Sequence, residues 1–346
     1  MVDLTHRRPL GRTAIEVAAL GFGGNVLGNL YGVVDEAAAV DTVAAAYESG
    51  VRFFDTAPLY GHGLSEHRLG TSLRRYPRDS FILSTKVGRL LKPHGKVPPP
   101  KLDPSQGGIF SDELPFQPVF DYSYDGTMRS VEDSLQRLGM NRVDVVLIHD
   151  ADEWTHQALY RQRLDEVKNG ALRALEKLKG EGTIGAFGAG VNQAEACEDL
   201  MDLGSFDCFL LAGRYTLLEQ DALDRFLPRC VKEGVSIILG APFNSGILAT
   251  GAIPEARYNY LPAPAPIKAR VAAIEQACRK HGVTLAAAAL QFPLAHAAVC
   301  NIIPGARSRK EAERNAVLMQ ESIPADFWRD LQKADLLRKD APVPVE

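Results

Sequence analysis

The sequence predicts a (β/α)8 barrel, because eight short β-type runs alternate along its 346 residues with segments of helical character. Most of these runs are apolar throughout, which is typical of strands covered on both faces. A doubly wound open sheet can also contain eight strands, so the count alone does not decide between the two folds. The runs are residues 18–24, 51–57, 81–87, 143–150, 183–190, 206–213, 235–242 and 299–306.

The other elements follow from local signals, in chain order. Residues 7–17 resemble a small hairpin, which we place over the N-terminal end of the barrel. Asp35 and Ser308 each precede a helical segment, as N-cap residues do. In "GTMRSVEDSLQRLG" (126–139) and "NGALRALEKLKGEG" (169–182) the apolar residues fall on one helical face, and glycines close the second segment.

Two stretches interrupt the alternation. Residues 88–123 form a long Pro/Gly-rich segment after the third strand, and loops of that length are usually functional or disordered. We predict that this segment is a lid over the barrel mouth, and residues 251–266 are a second candidate. The whole chain, 1–346, is predicted to be one barrel domain that ends in a C-terminal tail, 321–346.

Composition excludes several classes of function. The net charge of −4 gives no indication of nucleic-acid or anionic-membrane binding. The first residues lack the apolar segment of a signal peptide, and no apolar run reaches the roughly 18–20 residues of a membrane span. Five scattered cysteines without CxxC spacing suggest reduced thiols and no metal site. We therefore expect a cytoplasmic monomer or small homo-oligomer.

Four ionisable residues lie at or just after the ends of consecutive predicted strands: Asp55, Tyr60, Lys86 and His149. Taken singly, each of these residues has an ordinary explanation: the aspartate can be a turn former, the tyrosine a packing residue, the lysine a solvated side chain and the histidine a structural residue. The C-terminal ends of barrel strands, however, carry the active site in this fold. A lysine beside a tyrosine lowers the tyrosine pKa, an aspartate orients the lysine, and a histidine binds a substrate oxygen. This chemistry suits carbonyl–alcohol interconversion, and the hydride requires a nicotinamide cofactor.

The chain resembles the aldo-keto reductase family from about residue 8 to about residue 320. The motifs that carry the resemblance are "GVRFFDTAPLYGHGLSEHRLG" (50–70), "STKVG" (84–88), "VDVVLIHD" (143–150) and "IPGARSRKEAERN" (303–315). The resemblance implies a (β/α)8 barrel, a catalytic tetrad of Asp55, Tyr60, Lys86 and His149, and a nicotinamide cofactor extended across the barrel mouth. The glycine-rich run "LGFGGNVLG" (20–28) followed by Asp55 has the spacing of a Rossmann site. The resemblance assigns this run to the first barrel strand instead.

The resemblance also implies the cofactor and substrate contacts. In many NADP-using relatives a lysine and an arginine stand where this chain has Gly305 and Glu311, so we expect NAD, with NADP possible through Arg307 or Arg309. The predicted cofactor residues are Gly23, Gly24, Asn192, Pro242, Asn244, Ser245, Gly246, Leu248, Ile303, Gly305, Ala306, Arg307, Arg309, Glu311 and Asn315. The predicted substrate residues are Asn25, Asp121 and Tyr122.

Two departures from the family pattern concern the nicotinamide amide. Gly190 replaces a serine after the fifth strand, and a glutamine usual after the sixth strand is missing. These variants resemble the aldose 1-dehydrogenases (L-fucose, D-threo-aldose and galactose dehydrogenases), with pyridoxal 4-dehydrogenase as close kin.

The sequence-based hypothesis is NAD-dependent oxidation of an aldose at C1 to the lactone, with Tyr60 as general acid/base. The alternatives are oxidation of pyridoxal to 4-pyridoxolactone, an NADPH-dependent carbonyl reductase, and a protein that only senses the redox state of the cofactor.

Overall fold

The computed structural model describes residues 7–95 and 108–344. Its strands are β1 (Arg7–Pro9), β2 (Glu16–Ala18), β3 (Phe22–Gly23), β4 (Phe53–Asp55), β5 (Ile82–Val87), β6 (Arg89–Pro93), β7 (Phe116–Phe120), β8 (Val145–His149), β9 (Ala186–Val191), β10 (Cys208–Ala212), β11 (Ser236–Gly240), β12 (Arg257–Tyr258), β13 (Leu261–Pro262) and β14 (Val299–Ile303).

Eight of these strands form one parallel sheet in the order β14-β11-β10-β9-β8-β5-β4-β3. The two end strands meet just before β3, where Gly21 N donates to Ile302 O at 2.8 Å and Ile302 N donates to Ala19 O at 2.8 Å. The sheet is therefore a closed barrel, which confirms the predicted fold and excludes the doubly wound alternative. The register pairs Asp55 with Ser84 and His149 with Gly190, so these positions share one rim.

The predicted N-terminal hairpin is β1 paired antiparallel with β2. Its Leu10 and Val17 are fully buried and pack with barrel-interior residues such as Phe53 and Leu147. Gly11 N also donates to Ser236 Oγ at 2.8 Å, at the start of β11. The hairpin thus closes the end of the barrel opposite the strand C-termini, as predicted.

Helices surround the barrel, and their apolar faces pack against its outer surface in one large core. Asp35 Oδ1 accepts hydrogen bonds from the backbone of Ala37 and Ala38, and Ser308 caps its helix in the same way, as the sequence predicts. The helices are α1 (Glu36–Glu48), α2 (Leu64–Leu73), α3 (Tyr124–Leu138), α4 (Glu153–His156), α5 (Tyr160–Glu166), α6 (Leu172–Gly180), α7 (Ala194–Met201), α8 (Phe226–Glu233), α9 (Ile247–Thr250), α10 (Ala265–His281), α11 (Leu285–Gln291), α12 (Arg309–Met319) and α13 (Ala325–Lys333).

The two long segments each contain a small antiparallel ribbon, β6–β7 and β12–β13. Residues 96–107, the middle of the predicted lid, lie outside the described residues, so the lid itself stays a prediction. The segment predicted as a tail contains α13, whose Phe327, Trp328 and Leu331 are fully buried. This part of the chain belongs to the core because its apolar residues recur at helical spacing.

Candidate active site

Asp55, Tyr60, Lys86 and His149 converge on one cavity at the C-terminal rim of the barrel. Strands β4, β5 and β8 supply Asp55, Lys86 and His149, and the turn after β4 supplies Tyr60. Lys86 Nζ lies 4.8 Å from the centre of the Tyr60 ring. The rings of Tyr60 and His149 meet edge to face with centres 5.7 Å apart. The structure therefore brings together the four residues that the sequence proposes as a tetrad.

Asp55 and Lys86 form a buried ion pair. Lys86 Nζ lies 2.6 Å from Asp55 Oδ2, and both side chains are 1% exposed. Lys86 Nζ also donates to Thr56 O at 2.9 Å, and Ser84 Oγ donates to Asp55 Oδ1 at 3.0 Å. Burial raises the pKa of Asp55, while the adjacent ammonium of Lys86 opposes that rise. The pair holds the ammonium group beneath the Tyr60 ring.

The pKa of Tyr60 is shifted in the direction opposite to that expected from its neighbour Lys86. Burial raises the pKa of Tyr60 well above its ordinary value, and the carboxylates of Asp55 and Asp150 act in the same direction. Burial, the largest cause, outweighs the lowering expected from Lys86. Tyr60 therefore carries its proton at neutral pH, and its hydroxyl can donate a hydrogen bond to a substrate oxygen.

His149 is neutral in this setting. Burial lowers its pKa well below the ordinary value, and the positive charges of Lys86 and Arg89 lower it further. Its Nδ1 is buried with no hydrogen-bond partner among the described residues. A neutral imidazole next to Tyr60 can hydrogen-bond a substrate oxygen without adding charge to the site.

Sequence reasoning missed a second ion pair in the cavity wall. Asp150 lines the cavity directly after His149, and its Oδ2 lies 2.6 Å from the guanidinium of Arg89. The Arg89 guanidinium stacks 4.2 Å above the ring of Phe120, its partner across the β6–β7 ribbon. The sequence signal for this pair is the position of its two residues along the chain. Asp150 follows a histidine at the end of a strand, and Arg89 follows the motif "STKVG".

The remaining wall of the cavity is largely apolar and aromatic. This lining was also missed, since aromatic residues in loops carry no periodic signal. It comprises Leu30, Leu59, Ile109, Phe110, Trp154 and Tyr260. Trp154 and Tyr260 stack with their ring centres 5.9 Å apart, which joins the short helix α4 to the β12–β13 ribbon. The cavity is therefore lined both by polar side chains, such as His149 and Asp150, and by apolar and aromatic ones.

Two predicted substrate residues do not reach the cavity. Tyr122 is 0% exposed, and its hydroxyl donates to His149 O at 2.7 Å and contacts His156 Nε2 at 2.9 Å. Asp121 Oδ1 instead accepts hydrogen bonds from the backbone and hydroxyl of Ser123, at the start of α3. The chain turns into α3 here, which directs these side chains into the helix cap and the core. The third, Asn25, lines the cavity.

The predicted cofactor residues divide into two groups. Gly23, Asn192, Ile303 and Gly305 line the cavity. The others lie away from the cavity lining: Gly24, Pro242, Asn244, Ser245, Gly246, Leu248, Ala306, Arg307, Arg309, Glu311 and Asn315. Leu248 is fully buried in the core, so a side-chain contact with a ligand is excluded. Ser245 Oγ accepts a hydrogen bond from Tyr260 N at 3.0 Å and so anchors the β12–β13 ribbon.

Among residues 7–95 and 108–344 no group of three or more His, Cys, Asp or Glu side chains is arranged to hold a metal ion. In the same part of the chain, no helix has the length and apolar character needed to cross a membrane.

A closed barrel whose rim joins a buried lysine–aspartate pair to a tyrosine and a neutral histidine defines an oxidoreductase that exchanges hydrogen between alcohols and carbonyls. The chain belongs to the aldo/keto reductase family, whose model matches residues 19–336.

Relatives with printed activities are similar over nearly the whole chain. A pyridoxal 4-dehydrogenase of Microbacterium luteolum is 42% identical over 96% of this chain and 98% of its own length. A D-threo-aldose 1-dehydrogenase of a Pseudomonas species is 37% identical over 93% and 95%. The fold matches an aldo-keto reductase structure from Bacillus halodurans with a TM-score of 0.72, at 23% identity and 98% coverage of both chains.

The cavity fits the nicotinamide cofactor that this family uses. Gly190, Ala212 and Gly240 lie at or next to the C-terminal ends of strands β9, β10 and β11, and they line the cavity with little or no side chain. A Cβ added to Gly190 would lie 3.2 Å from Cε of Lys86, so the small residue keeps this floor open. Asn192 borders the floor and accepts a hydrogen bond from the Tyr260 hydroxyl at 3.1 Å. A flat ring can lie on this surface beside Tyr60.

Proposed function

We propose that the protein oxidises the cyclic hemiacetal of an aldose at C1 to a lactone, with NAD⁺ as the hydride acceptor. The observation that carries this proposal is the convergence of Tyr60, Lys86, Asp55 and His149 on one cavity that is lined by both polar and apolar residues. A pyranose can use both kinds of lining, because it has hydroxyl groups at its edge and C–H groups on its faces. The 37% identity to a D-threo-aldose 1-dehydrogenase supports this substrate class.

The reaction removes two hydrogens from the hemiacetal carbon and its hydroxyl group. When bound, the oxidised cofactor accepts the hydride from C1. The hydroxyl proton passes to the Tyr60 oxygen while the C1–O bond becomes a carbonyl, and His149 orients that oxygen by a hydrogen bond. Lys86, held by Asp55, stabilises the negative charge that Tyr60 must carry to accept the proton.

The raised pKa of Tyr60 predicts how the oxidation rate depends on pH. At neutral pH Tyr60 is protonated, which is the form needed to give a proton to a carbonyl oxygen in the reverse reaction. Oxidation needs its deprotonated form, whose population increases as the pH rises toward the tyrosine pKa.

Pyridoxal is the second candidate substrate, because it also forms a cyclic hemiacetal. Two observations favour it: the aromatic lining by Phe110, Trp154 and Tyr260, and the 42% identity to a pyridoxal 4-dehydrogenase. The reaction at the hemiacetal carbon is the same for both substrates, so the tetrad does not discriminate between them.

A substrate panel tests the proposal. Purified protein is incubated with NAD⁺ and L-fucose, D-arabinose, pyridoxal or a simple open-chain alcohol, while NADH absorbance is followed and the product mass is measured. We expect an aldose to give NADH and a product lighter by two hydrogens. If pyridoxal is oxidised and no aldose is, pyridoxal replaces the aldose as the proposed substrate. If no hemiacetal is oxidised, the proposal is refuted.

The preference for NAD over NADP is supported by the arginines near the start of α12. Arg307 donates to the carbonyl oxygens of Leu30 and Gly32, and its own backbone N–H donates to Glu311. Arg309 is paired with Asp41 and Glu48 at 2.6 and 2.8 Å. Both cations that could bind a 2′-phosphate are thus already engaged.

A double variant tests this account of cofactor preference. Asp41→Asn combined with Glu48→Gln removes the two shortest ion pairs of Arg309 and leaves Glu313 at 3.4 Å. We therefore expect kcat/KM with NADP⁺ to rise several-fold while kcat/KM with NAD⁺ changes little. Equal use of both cofactors by the unmodified protein would contradict the proposed preference.

A further inference from the structure

We propose that Asp150 binds the hydroxyl group on the carbon next to the oxidised carbon, and thereby selects aldoses by their configuration at C2. This inference rests on the proposed oxidation of an aldose at C1. It assigns a specificity role to a residue outside the tetrad.

The carboxylate of Asp150 is built into the cavity wall. Asp150 lines the cavity, and its side chain is 9% exposed. Among the described residues only Arg89 donates a hydrogen bond to this carboxylate. A buried carboxylate with a single donor retains acceptor capacity, which a substrate hydroxyl group can use.

The backbone at Asp150 is shaped for this position. Its φ angle is +50°, in the left-handed region that residues other than glycine seldom adopt. Its N–H donates to Gly190 O at 2.9 Å, so the strand ladder continues to this residue before the chain turns. The barrel maintains a strained residue at the rim, next to the catalytic histidine, and such strain commonly accompanies a functional side chain.

The distances place Asp150 beside the reacting group. Asp150 Oδ2 lies 3.5 Å from His149 Nε2. In the proposed reaction, His149 holds the oxygen on C1. Oxygens on neighbouring carbon atoms are separated by a distance comparable to that between Nε2 and Oδ2. A substrate whose C1 oxygen contacts His149 therefore presents its C2 hydroxyl group to Asp150.

Arg89 holds the carboxylate of Asp150 in place. Its guanidinium bonds Oδ2 at 2.6 Å and is stacked on Phe120 from the paired strand β7. The base of the long 88–123 segment thus contributes to the site through Arg89, rather than through Asp121 or Tyr122.

Three pentoses that differ only at C2 test the inference: D-arabinose, its epimer D-ribose, and 2-deoxy-D-ribose, which lacks the hydroxyl group. The values of kcat/KM are measured for the unmodified protein and for Asp150→Asn. Asp207→Asn is the matched control, because this carboxylate is also 9% exposed and paired at 2.6 Å, with Lys179, but does not line the cavity. If another aldose is oxidised faster in the panel, the same C2 series is made from that sugar.

For the unmodified protein we expect the preferred epimer to exceed the 2-deoxy sugar by about 10- to 100-fold, the effect of one hydrogen bond to a charged group. In Asp150→Asn this ratio should fall below about 3-fold, with kcat/KM for the 2-deoxy sugar largely retained. The control should keep the original ratio.

Two results would overturn the inference while leaving the proposed function intact. One is equal oxidation of all three pentoses by the unmodified protein, which needs no variant. The other is an equal loss for all three sugars in Asp150→Asn, which would show that the Asp150–Arg89 pair only supports the fold or His149. Failure to oxidise any aldose would instead refute the proposed function, and the inference with it.

Discussion

Replacing Lys86 with methionine should destabilise the protein strongly and in a pH-dependent way. The substitution removes the cation that lies 2.6 Å from Asp55 Oδ2 and the donor to Thr56 O. Asp55 then remains 1% exposed, with the hydroxyl of Ser84 as its remaining side-chain donor. Breaking a buried ion pair on one side costs about 3–5 kcal/mol of unfolding free energy.

The pH dependence follows from Asp55. Burial already raises its pKa, and loss of Lys86 removes the charge that opposes this rise. A carboxyl group whose pKa is higher in the folded than in the unfolded state contributes stability at low pH, and this contribution is lost as the pH rises through the folded-state pKa. The Lys86→Met variant should therefore be less destabilised at about pH 5 than at about pH 8.

Urea unfolding at both pH values measures the effect, after reversibility has been verified. Asp55→Leu/Lys86→Met is the control, since replacing both partners of a buried pair by apolar residues is often neutral or stabilising. This double variant should recover most of the stability but no activity. A loss below about 1 kcal/mol for Lys86→Met, or an equal loss at both pH values, would refute the reasoning about this pair.

Two further predictions concern the histidine and its support. The pH profile of oxidation should rise with pH as Tyr60 deprotonates and should show no step near pH 6.5, because burial keeps His149 neutral; an inflection near that pH would show that His149 titrates. Tyr122→Phe removes the donor to His149 O and should lower kcat by roughly 3- to 30-fold without changing NAD⁺ binding. Tyr160→Phe, which loses a hydrogen bond to Asp199, should leave kcat unchanged, and equal losses in the two variants would contradict a positioning role for Tyr122.

The barrel and the tetrad were accessible from sequence for the same physical reason. Parallel strands covered on both faces are apolar runs, and a charged residue that ends such a run, as Asp55, Lys86 and His149 do, stands out against them. Because the ends of parallel strands share one rim, consecutive strand-end residues meet in space.

Other features depended on three-dimensional detail that no pattern carries. The Arg89–Asp150 pair forms because the β6–β7 ribbon folds back over the rim, and ribbon geometry is not visible in "GRLLKPHG". Tyr122 has the composition of a binding residue but lies in the core under His149. The pKa of Tyr60 depends on burial and on the nearby carboxylates of Asp55 and Asp150, which spacing does not reveal.

The most direct test of the central claim is the Tyr60→Phe variant, measured with NAD⁺ and the aldose that the panel identifies. If Tyr60 takes the hydroxyl proton, kcat should fall by about 100-fold or more, since general acid–base catalysis contributes 10²–10⁴-fold. The dissociation constant for NAD⁺, measured by fluorescence, should stay unchanged. Turnover close to that of the unmodified protein would contradict the assignment of this site as the catalytic centre.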